Sequence, residues 1–363
     1  MKKVVYVLLV LAITLSIVGC SVDNTPVPAA ADDTAASSAS SDSAAEAATE
    51  APAAVADANA DGKITVVVSE GWGENSSAQR FHQGYEEAFA EYGWEATFAN
   101  ANYDPKLQSE QIDAFIKLKP DALFLNCSDP AGITAAVQRA VDAGIPVFTS
   151  DCYIAGVKAV TQIASNNYGM GMYNMQYILD EIGGKGKIGM IGLPNNETWD
   201  LRELGARYVL SNYPDVEVVY WPYDSTGAVT ATQAITNMLT ANPDMKAIWC
   251  AWDDAAMQGA IAAEAAGLND IIFTGIDGSE AAFTQLLQGG DFKQSLAQSV
   301  YWMSWMDVYY ANEYLQGNKT PRFVVAPVYA VTKETLEAVP SDLVSWDYDK
   351  PGYEKTLGWT PVK

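Results

Sequence analysis

The sequence predicts an α/β fold made of two doubly wound parallel sheets. From residue 62 onward, short apolar or β-branched runs alternate with amphipathic helical patterns about ten times. A single parallel sheet with that many strands would be unusually wide, so we expect the strands to be divided between two sheets. A (β/α) barrel is the alternative, but it does not account for two similar halves.

The clearest unit is the segment 120–151. An apolar run at 122–125 is too short for a helix, and a helical pattern at 132–143 ends at Gly144, before a second apolar run begins at Val147. Strand, helix and strand within about thirty residues form a βαβ unit with buried, parallel strands.

The same patterns place the remaining elements in order. Strands are expected at 64–68, 94–99, 160–164, 187–191, 216–220, 247–250, 271–274 and 294–297. Helices are expected at 76–92, 107–118, before residue 182, and at 198–211, 230–240, 254–266 and 280–287.

Polar and aromatic side chains stand at the ends of the predicted strands. Asn126 and Asp151 follow the two strands of the βαβ unit, and open α/β sheets bind ligands at the carboxyl ends of their strands. The other candidate ligand contacts are Trp72, Asn75, Trp199, Arg202, Trp252, Asp253, Asp277 and Gln298. Carboxylates and amides suit adjacent hydroxyls, and a flat aromatic ring covers the apolar face of a sugar. The set therefore predicts a site for a polyhydroxylated ligand.

Structural roles compete with this interpretation, because Asp and Asn also cap helices and Trp also fills cores. For Asp253, which begins a predicted helix, capping explains the residue as well as ligand contact does. No helix directly follows Asp151, which favours a functional role.

The start of the chain indicates export and a lipid anchor. Lys2 and Lys3 precede an apolar run at 4–18 that is short for a membrane span, and Gly19-Cys20 follows. We expect residues 1–19 to be a lipoprotein signal peptide and Cys20 to be the acylated mature amino terminus. An ordinary signal peptide with an accidental cysteine is the alternative. The pattern places the protein outside the cytoplasmic membrane without deciding which membrane holds the anchor.

Residues 20–61 are expected to form a disordered acidic tether rich in Ala and Ser. The segment contains no Lys or Arg and too little apolar surface to offset its ordering entropy. Residues 57–62 resemble the first half of an EF-hand calcium loop. The twelfth position of that loop must be a bidentate acid, and here it is Val68, so calcium binding is excluded.

The formal net charge of −24 argues against nucleic acid as a partner. It favours a neutral or cationic ligand over a polyanion. Beyond Cys20, the chain has Cys127, Cys152 and Cys250. A disulfide between Cys127 and Cys152 is geometrically conceivable, but the odd count and loose spacing predict buried thiols.

No sequence motif supports an enzyme active site, a metal site or a cofactor site. Residues 184–189 match G-x-G-x-x-G, yet they follow a helix and precede a strand, the reverse of a dinucleotide loop. His82 is the single histidine and has no partner spacing that suggests a catalytic triad or a metal site. Plentiful Asp residues leave glycosidase chemistry possible in principle, without a defined carboxylate pair.

The folded region resembles the ribose/galactose-type sugar-binding proteins of bacterial ABC importers, which have the type I periplasmic binding protein fold. The matching motifs are NYDPKLQ at 102–108, LN at 125–126, AGIPV at 143–147, ASNN at 164–167, NPD at 242–244, GIDG at 275–278 and AQ at 297–298. The resemblance implies two lobes joined by three crossings, with the ligand trapped by hinge closure. It implies sugar contacts at Asn75, Asn126, Asp151, Asp277 and Gln298.

The resemblance also places the lobes at 62–165 with 299–325, and at 166–298 with 326–363. Several positions depart from the ribose binders. Cys152 replaces an arginine, Ser77 and Ala78 replace paired phenylalanines, Trp252 replaces an asparagine, and Arg202 only approximates an arginine position. A different pentose, a hexose or a polyol therefore fits better than ribose.

We expect a monomeric lipid-tethered receptor that delivers a sugar or polyol to an ABC transporter permease and performs no chemistry on it. The alternatives are a receptor that docks to a membrane chemoreceptor or sensor kinase, and an extracytoplasmic carbohydrate-acting enzyme. Residues 331–363 exceed what the fold needs and are expected to pack along the second lobe.

Overall fold

The computed structural model describes residues 62–194, 197–223 and 229–362. The predicted signal peptide, Cys20 and the tether lie outside these residues. The first half of the chain forms β1 (Thr65–Glu70), α1 (Ser76–Tyr92), β2 (Glu95–Asn100), α2 (Pro105–Ile116), β3 (Ala122–Leu125), α3 (Pro130–Asp142), β4 (Val147–Ser150), β5 (Thr161–Ser165) and α4 (Asn167–Glu181).

The second half continues the alternation. It forms β6 (Gly186–Gly192), α5 (Glu197–Leu210), β7 (Val216–Pro222), α6 (Ala231–Ala241), β8 (Met245–Cys250), α7 (Asp253–Ala265), β9 (Ile272–Asp277), α8 (Glu280–Gln288), β10 (Phe292–Gln298), α9 (Val300–Leu315), β11 (Phe323–Ala326), β12 (Val328–Val331), α10 (Lys333–Glu337), a 3-10 turn (Ser345–Asp347) and α11 (Tyr353–Leu357). Among the described residues, no helix is both long and apolar enough to cross a bilayer.

The strands form two open sheets, which confirms the predicted fold class and excludes the barrel. One sheet has the order β11-β5-β4-β3-β1-β2, and we call it and the helices packed on it lobe 1. The other has the order β12-β10-β9-β8-β6-β7, and we call it and its helices lobe 2. All pairs are parallel except β10 with β12, which run antiparallel. The chain passes between the sheets three times: after β5, after β10, and between β11 and β12.

Each sheet is covered on both faces, which explains the continuous apolar runs of its central strands. In β3, Phe124 belongs to a core cluster with residues of α1 and α9, whereas Leu123 and Leu125 belong to a cluster with residues of α2 and α3. In β8, Ile248 and Trp249 divide in the same way between two clusters of lobe 2.

The residues after β12 pack on lobe 2 and also reach lobe 1. Tyr348 and Leu357 are buried in the cluster that contains Phe283 of α8, and the ring of Trp359 contacts Phe283. The side chain of Asp349 pairs with Arg80 on α1. We call residues 332–362 the C-terminal segment.

The structure corrects the expectation that Cys127 and Cys152 are thiols, because the two form a disulfide, with their Cα atoms 6.0 Å apart. They follow β3 and β4, which are paired neighbours in the sheet, so parallel pairing brings together the residues after both strands. Cys250 is free and buried, as expected.

Candidate functional site

A cleft of about 1030 Å³ is lined by residues of both lobes at the carboxyl ends of their strands. Its lining includes Trp72, Asn75, Tyr103, Asp151, Glu197, Trp199, Arg202, Tyr223, Trp252, Asp253, Asp254, Asp277 and Gln298. Nine of the ten side chains predicted from sequence are in this set. Their contact with a ligand stays a prediction.

Asn126 is the tenth predicted residue, and the structure does not place it in the cleft lining. It is buried, its Oδ1 accepts a hydrogen bond from the Gly71 amide, and its carbonyl accepts one from Gln108 Nε2 at 2.6 Å. The loop after β1 covers the end of β3. A side chain at Gly71 would place its Cβ 2.3 Å from the amide nitrogen of Ser128. Asn126 therefore positions the loop that carries Trp72.

On the lobe 1 side, hydrogen bonds and ring packing within the protein position Trp72 and Asn75. Trp72 Nε1 donates to the Cys127 carbonyl at 3.1 Å, and the indole packs on Phe81 with ring centroids 5.4 Å apart. Asn75 Oδ1 caps α1 by accepting from the Ala78 amide at 2.9 Å, and its Nδ2 contacts the Tyr103 hydroxyl. Asn75 thus combines a capping role with a place in the cleft.

On the lobe 2 side, Arg202 and Asp277 form the centre of a buried polar network. Arg202 Nε donates to Asn167 Oδ1 at 3.0 Å, and its Nη1 lies 2.7 Å from the Ala251 carbonyl and 3.3 Å from Asp277 Oδ1. Gln298 Nε2 donates to the same Asp277 oxygen at 3.0 Å. Burial raises the pKa of Asp277 to about 6, against the lowering effect of Arg202.

Asp253 stabilises the turn after β9 by hydrogen bonds, a role that the sequence did not predict. It is the first residue of α7 rather than its cap, and its Oδ2 accepts from the Gly278 amide at 2.7 Å and from Ser295 Oγ at 2.8 Å. Burial, followed by repulsion from Asp277, raises the pKa of Asp253 to about 8. The carboxylate holds the turn after β9, which carries Asp277.

Asp151 is a buried acid in the cleft lining with one unused carboxyl oxygen, as Asp253 and Asp307 also have. The residue follows β4, is 4% exposed and has a φ of 51°, in the left-handed region. Its Oδ1 has no hydrogen-bond partner among the described residues. Burial raises the pKa of Asp151 to about 7; Arg202 opposes this shift and Asp277 adds to it. An orphaned buried oxygen in a cleft lining indicates a place where a ligand donor completes the site.

Aromatic rings form part of the wall on the lobe 2 side. Trp199 and Trp252 stack with centroids 5.1 Å apart and planes 5° apart, and Tyr223 packs against Trp252. Tyr223 and Tyr103 were missed from the sequence, although each follows a strand, β7 and β2, and the strand-end rule applied there would have found both. Within the described ranges, no group of three His, Cys, Asp or Glu side chains could hold a metal ion.

Two α/β lobes around a cleft lined by convergent carboxylates, amides and aromatic rings define a solute-binding protein. Residues 65–319 match the periplasmic binding protein domain, and the chain belongs to this family.

Curated relatives and solved structures support this assignment. The chain is similar to the D-apiose import binding protein of Actinobacillus succinogenes, at 26% identity over 72% of this chain and 84% of that protein. It is also similar to the ribose import binding protein of Bacillus subtilis, at 25% identity over 75% of this chain and 88% of that protein. A crystal structure of an Actinobacillus succinogenes periplasmic solute binding protein with bound D-allose has the same fold. It gives a TM-score of 0.70 at 23% identity and covers 76% of this chain and 99% of that chain.

Proposed function

We propose that this protein is the extracytoplasmic binding component of an ABC importer for a sugar or polyol. The observation that carries the proposal is the convergence of Asp151 from lobe 1 with Asp277 and Gln298 from lobe 2 on one cleft. Relatives at about one-quarter identity are named as apiose and ribose import binding proteins, which supports the same ligand class.

Ligand hydroxyls would donate to Asp151 and Asp277 and accept from Gln298, while the indole rings cover apolar C–H faces. Because these groups lie on different lobes, the closed form gains contacts that the open form lacks. Only such a difference in affinity can shift the equilibrium toward closure. The ligand leaves unchanged, since no step of this cycle makes or breaks a covalent bond.

The amino-terminal segment supplies the membrane attachment in this proposal. Acylated Cys20 anchors the protein, and residues 20–61 let the two lobes diffuse near the permease. The binding unit works as a monomer, since both halves of the cleft come from one chain.

A thermal-shift screen of pentoses, hexoses, linear polyols and cyclitols tests the proposal. A ligand present at about 100 times its Kd should stabilise the protein by about 2.7 kcal/mol. Recovery of the ligand unchanged after incubation separates binding from turnover. The proposal is contradicted if no hydroxylated compound raises the melting temperature, or if the ligand that binds is converted to a product.

A further inference from the structure

The charges in the cleft do not balance. Among the described residues that line it, the acidic side chains are Asp151, Glu197, Asp253, Asp254 and Asp277, and the sole basic side chain is Arg202. Burial raises the pKa of Asp253 to about 8, so this carboxyl group adds little charge at pH 7, and the other four acids still outnumber Arg202. An acidic cleft with low-dielectric walls concentrates cations and repels anions.

Arg202 offsets only part of this excess, and its hydrogen bonds are directed within lobe 2. Its guanidinium is 1% exposed and donates to Asn167, to the Ala251 carbonyl and to Asp277. Its one ion pair is with Asp277, at 3.3 Å. No hydrogen bond joins it to Asp151.

Asp151 is a buried carboxyl group that has a backbone hydrogen bond at Ser165, while its Oδ1 has no partner among the described residues. A buried carboxylate oxygen without a donor is costly unless a positive group or a hydrogen-bond donor reaches it. The charged and titratable groups that act on it are Arg202 from α5, Asp277 from the end of β9, and Tyr153 two residues further along the chain. Two of the three do not supply positive charge.

Aromatic rings in the same lining also favour a cation. Trp72, Tyr103, Trp199, Tyr223 and Trp252 line the cleft together with Asp151. The faces of indole and phenol rings attract ammonium groups as well as apolar C–H surfaces. Acidic oxygens and aromatic faces together suit a molecule that carries both hydroxyls and one amine.

We propose, on the basis of the proposed solute-binding function, that the preferred ligand is a hydroxylated amine, an amino sugar or amino polyol, and that Asp151 binds its ammonium group. Asp277, already bonded to Arg202 and Gln298, accepts from hydroxyls instead. In this proposal, Asp151 is the residue that makes the protein bind an amine more tightly than the matching neutral sugar or polyol.

Matched pairs of ligands test this by calorimetry at pH 7. The pairs are D-glucosamine with D-glucose, D-galactosamine with D-galactose, and 1-amino-1-deoxy-D-sorbitol with D-sorbitol; N-acetyl-D-glucosamine is the uncharged amide control. We expect at least one amine to bind about tenfold tighter than its neutral partner, and the amide to lose that advantage. Equal or tighter binding of the neutral partner in every pair overturns the inference and leaves the proposed function intact. Binding of no compound in the set also overturns the inference, and the wider thermal-shift screen then decides the proposed function separately.

Two variants locate the effect. Asp151→Asn keeps the shape of the side chain and should remove about tenfold of the amine affinity while changing the affinity of the neutral partner less. Asp254→Asn removes the same charge from an exposed position of the lining and should cost the amine about threefold or less. Equal losses in both variants would show a diffuse acidic field rather than a specific ammonium contact, and would overturn the role of Asp151.

The pH dependence gives an independent readout. Ammonium binding favours the ionised Asp151 carboxylate. The affinity for 1-amino-1-deoxy-D-sorbitol, whose amine stays protonated over this range, should therefore fall as the pH is lowered from 8 to 5.5, with release of a proton on binding near pH 7. Asp151→Asn should flatten this profile. A profile for the amino polyol that is unchanged in the variant would contradict the proposed contact.

Discussion

Arg80 of α1 and Asp349 of the C-terminal segment form a buried ion pair that ties the last residues of the chain to lobe 1. Arg80 Nη2 lies 2.6 Å from Asp349 Oδ1, and its Nε lies 3.1 Å from the same oxygen. The guanidinium lies 4.7 Å from the ring centroids of both Tyr301 and Trp346. Asp349 Oδ2 also accepts from the Tyr301 amide at 3.0 Å.

Replacing Arg80 should therefore be far more damaging than replacing an exposed arginine. Arg80→Ala leaves Asp349 buried without its counter-charge, and we expect the free energy of unfolding to fall by about 3–5 kcal/mol. Arg139→Ala is the control, because Arg139 also donates two hydrogen bonds to one carboxylate, that of Asp113, but at an exposed site, and its loss should cost about 1 kcal/mol or less. Urea denaturation followed by tryptophan fluorescence measures both; equal small losses would show that the buried pair is not important for stability.

Gly71→Ala should weaken ligand binding by about tenfold, because a Cβ there meets the backbone of Ser128 and Cys127 and must displace the loop that carries Trp72. Gly144→Ala is the matched control. Its φ of 82° makes the substitution cost about 1 kcal/mol of stability, but its Cβ would point into open space away from the cleft. Calorimetry with the identified ligand should show unchanged affinity for the control. Wild-type affinity in Gly71→Ala would contradict the positioning of the loop.

Reduction of the Cys127–Cys152 disulfide should lower the melting temperature. The two cysteines are 25 residues apart in the sequence, and loss of their bond should lower the free energy of unfolding by about 2–4 kcal/mol. Scans with and without dithiothreitol measure the shift, and the double variant Cys127→Ala/Cys152→Ala should melt at the same temperature in both. A wild-type protein that is insensitive to the reductant would exclude a stabilising role for the bond.

The stability of the ligand-free protein should fall as the pH rises from about 4 to 8. Burial raises the pKa of Asp307 to about 8, against the hydroxyls of Ser150 and Tyr85, which both donate to it and lower its pKa. Such a carboxyl binds a proton in the folded protein at a pH where it is ionised in the unfolded chain. Its contribution is therefore complete below an unfolded pKa of about 4 and is lost as the pH rises through the folded value.

Asp307→Asn should make that decline shallower by up to about 1.4 kcal/mol per pH unit. The buried acids Asp151 and Asp253, with raised pKa values of about 7 and about 8, should keep part of the slope. Glu110→Gln, at an exposed helix position, is the control and should leave the profile unchanged. A profile for Asp307→Asn that superimposes on the wild type would contradict a protonated Asp307 in the folded protein.

The sequence predicted the sheets well because their strands are short apolar runs separated by helical patterns, and this pattern follows directly from burial on both faces. It placed no helix or strand after β10, so α9, β11 and β12 were all missed. Nothing in the run at 328–331 indicates that β12 pairs antiparallel with β10. That pairing depends on the chain crossing back to lobe 2 after Pro327, which is a property of the whole fold.

The strand-end rule located the correct edge of each sheet but not the direction of each side chain. Asp151 and Asp277 lie in the cleft lining, whereas Asn126 does not, since the adjacent loop at Gly71 occupies the end of β3; ligand contact stays a prediction for all three. The prediction that Cys127 and Cys152 are free thiols was wrong for a similar reason. Spacing along the chain does not reveal that Cys127 and Cys152 end neighbouring parallel strands.

The segment that matches the family model is shorter than the part that folds. The match ends at residue 319, yet β11 and β12 each complete the edge of one sheet, and Asp349 joins the C-terminal segment to α1. A protein trimmed to residues 65–319 would expose an unpaired strand edge on both lobes and would be prone to self-association. The last residue of the family-model match is thus a poor guide to where the chain can be truncated for expression.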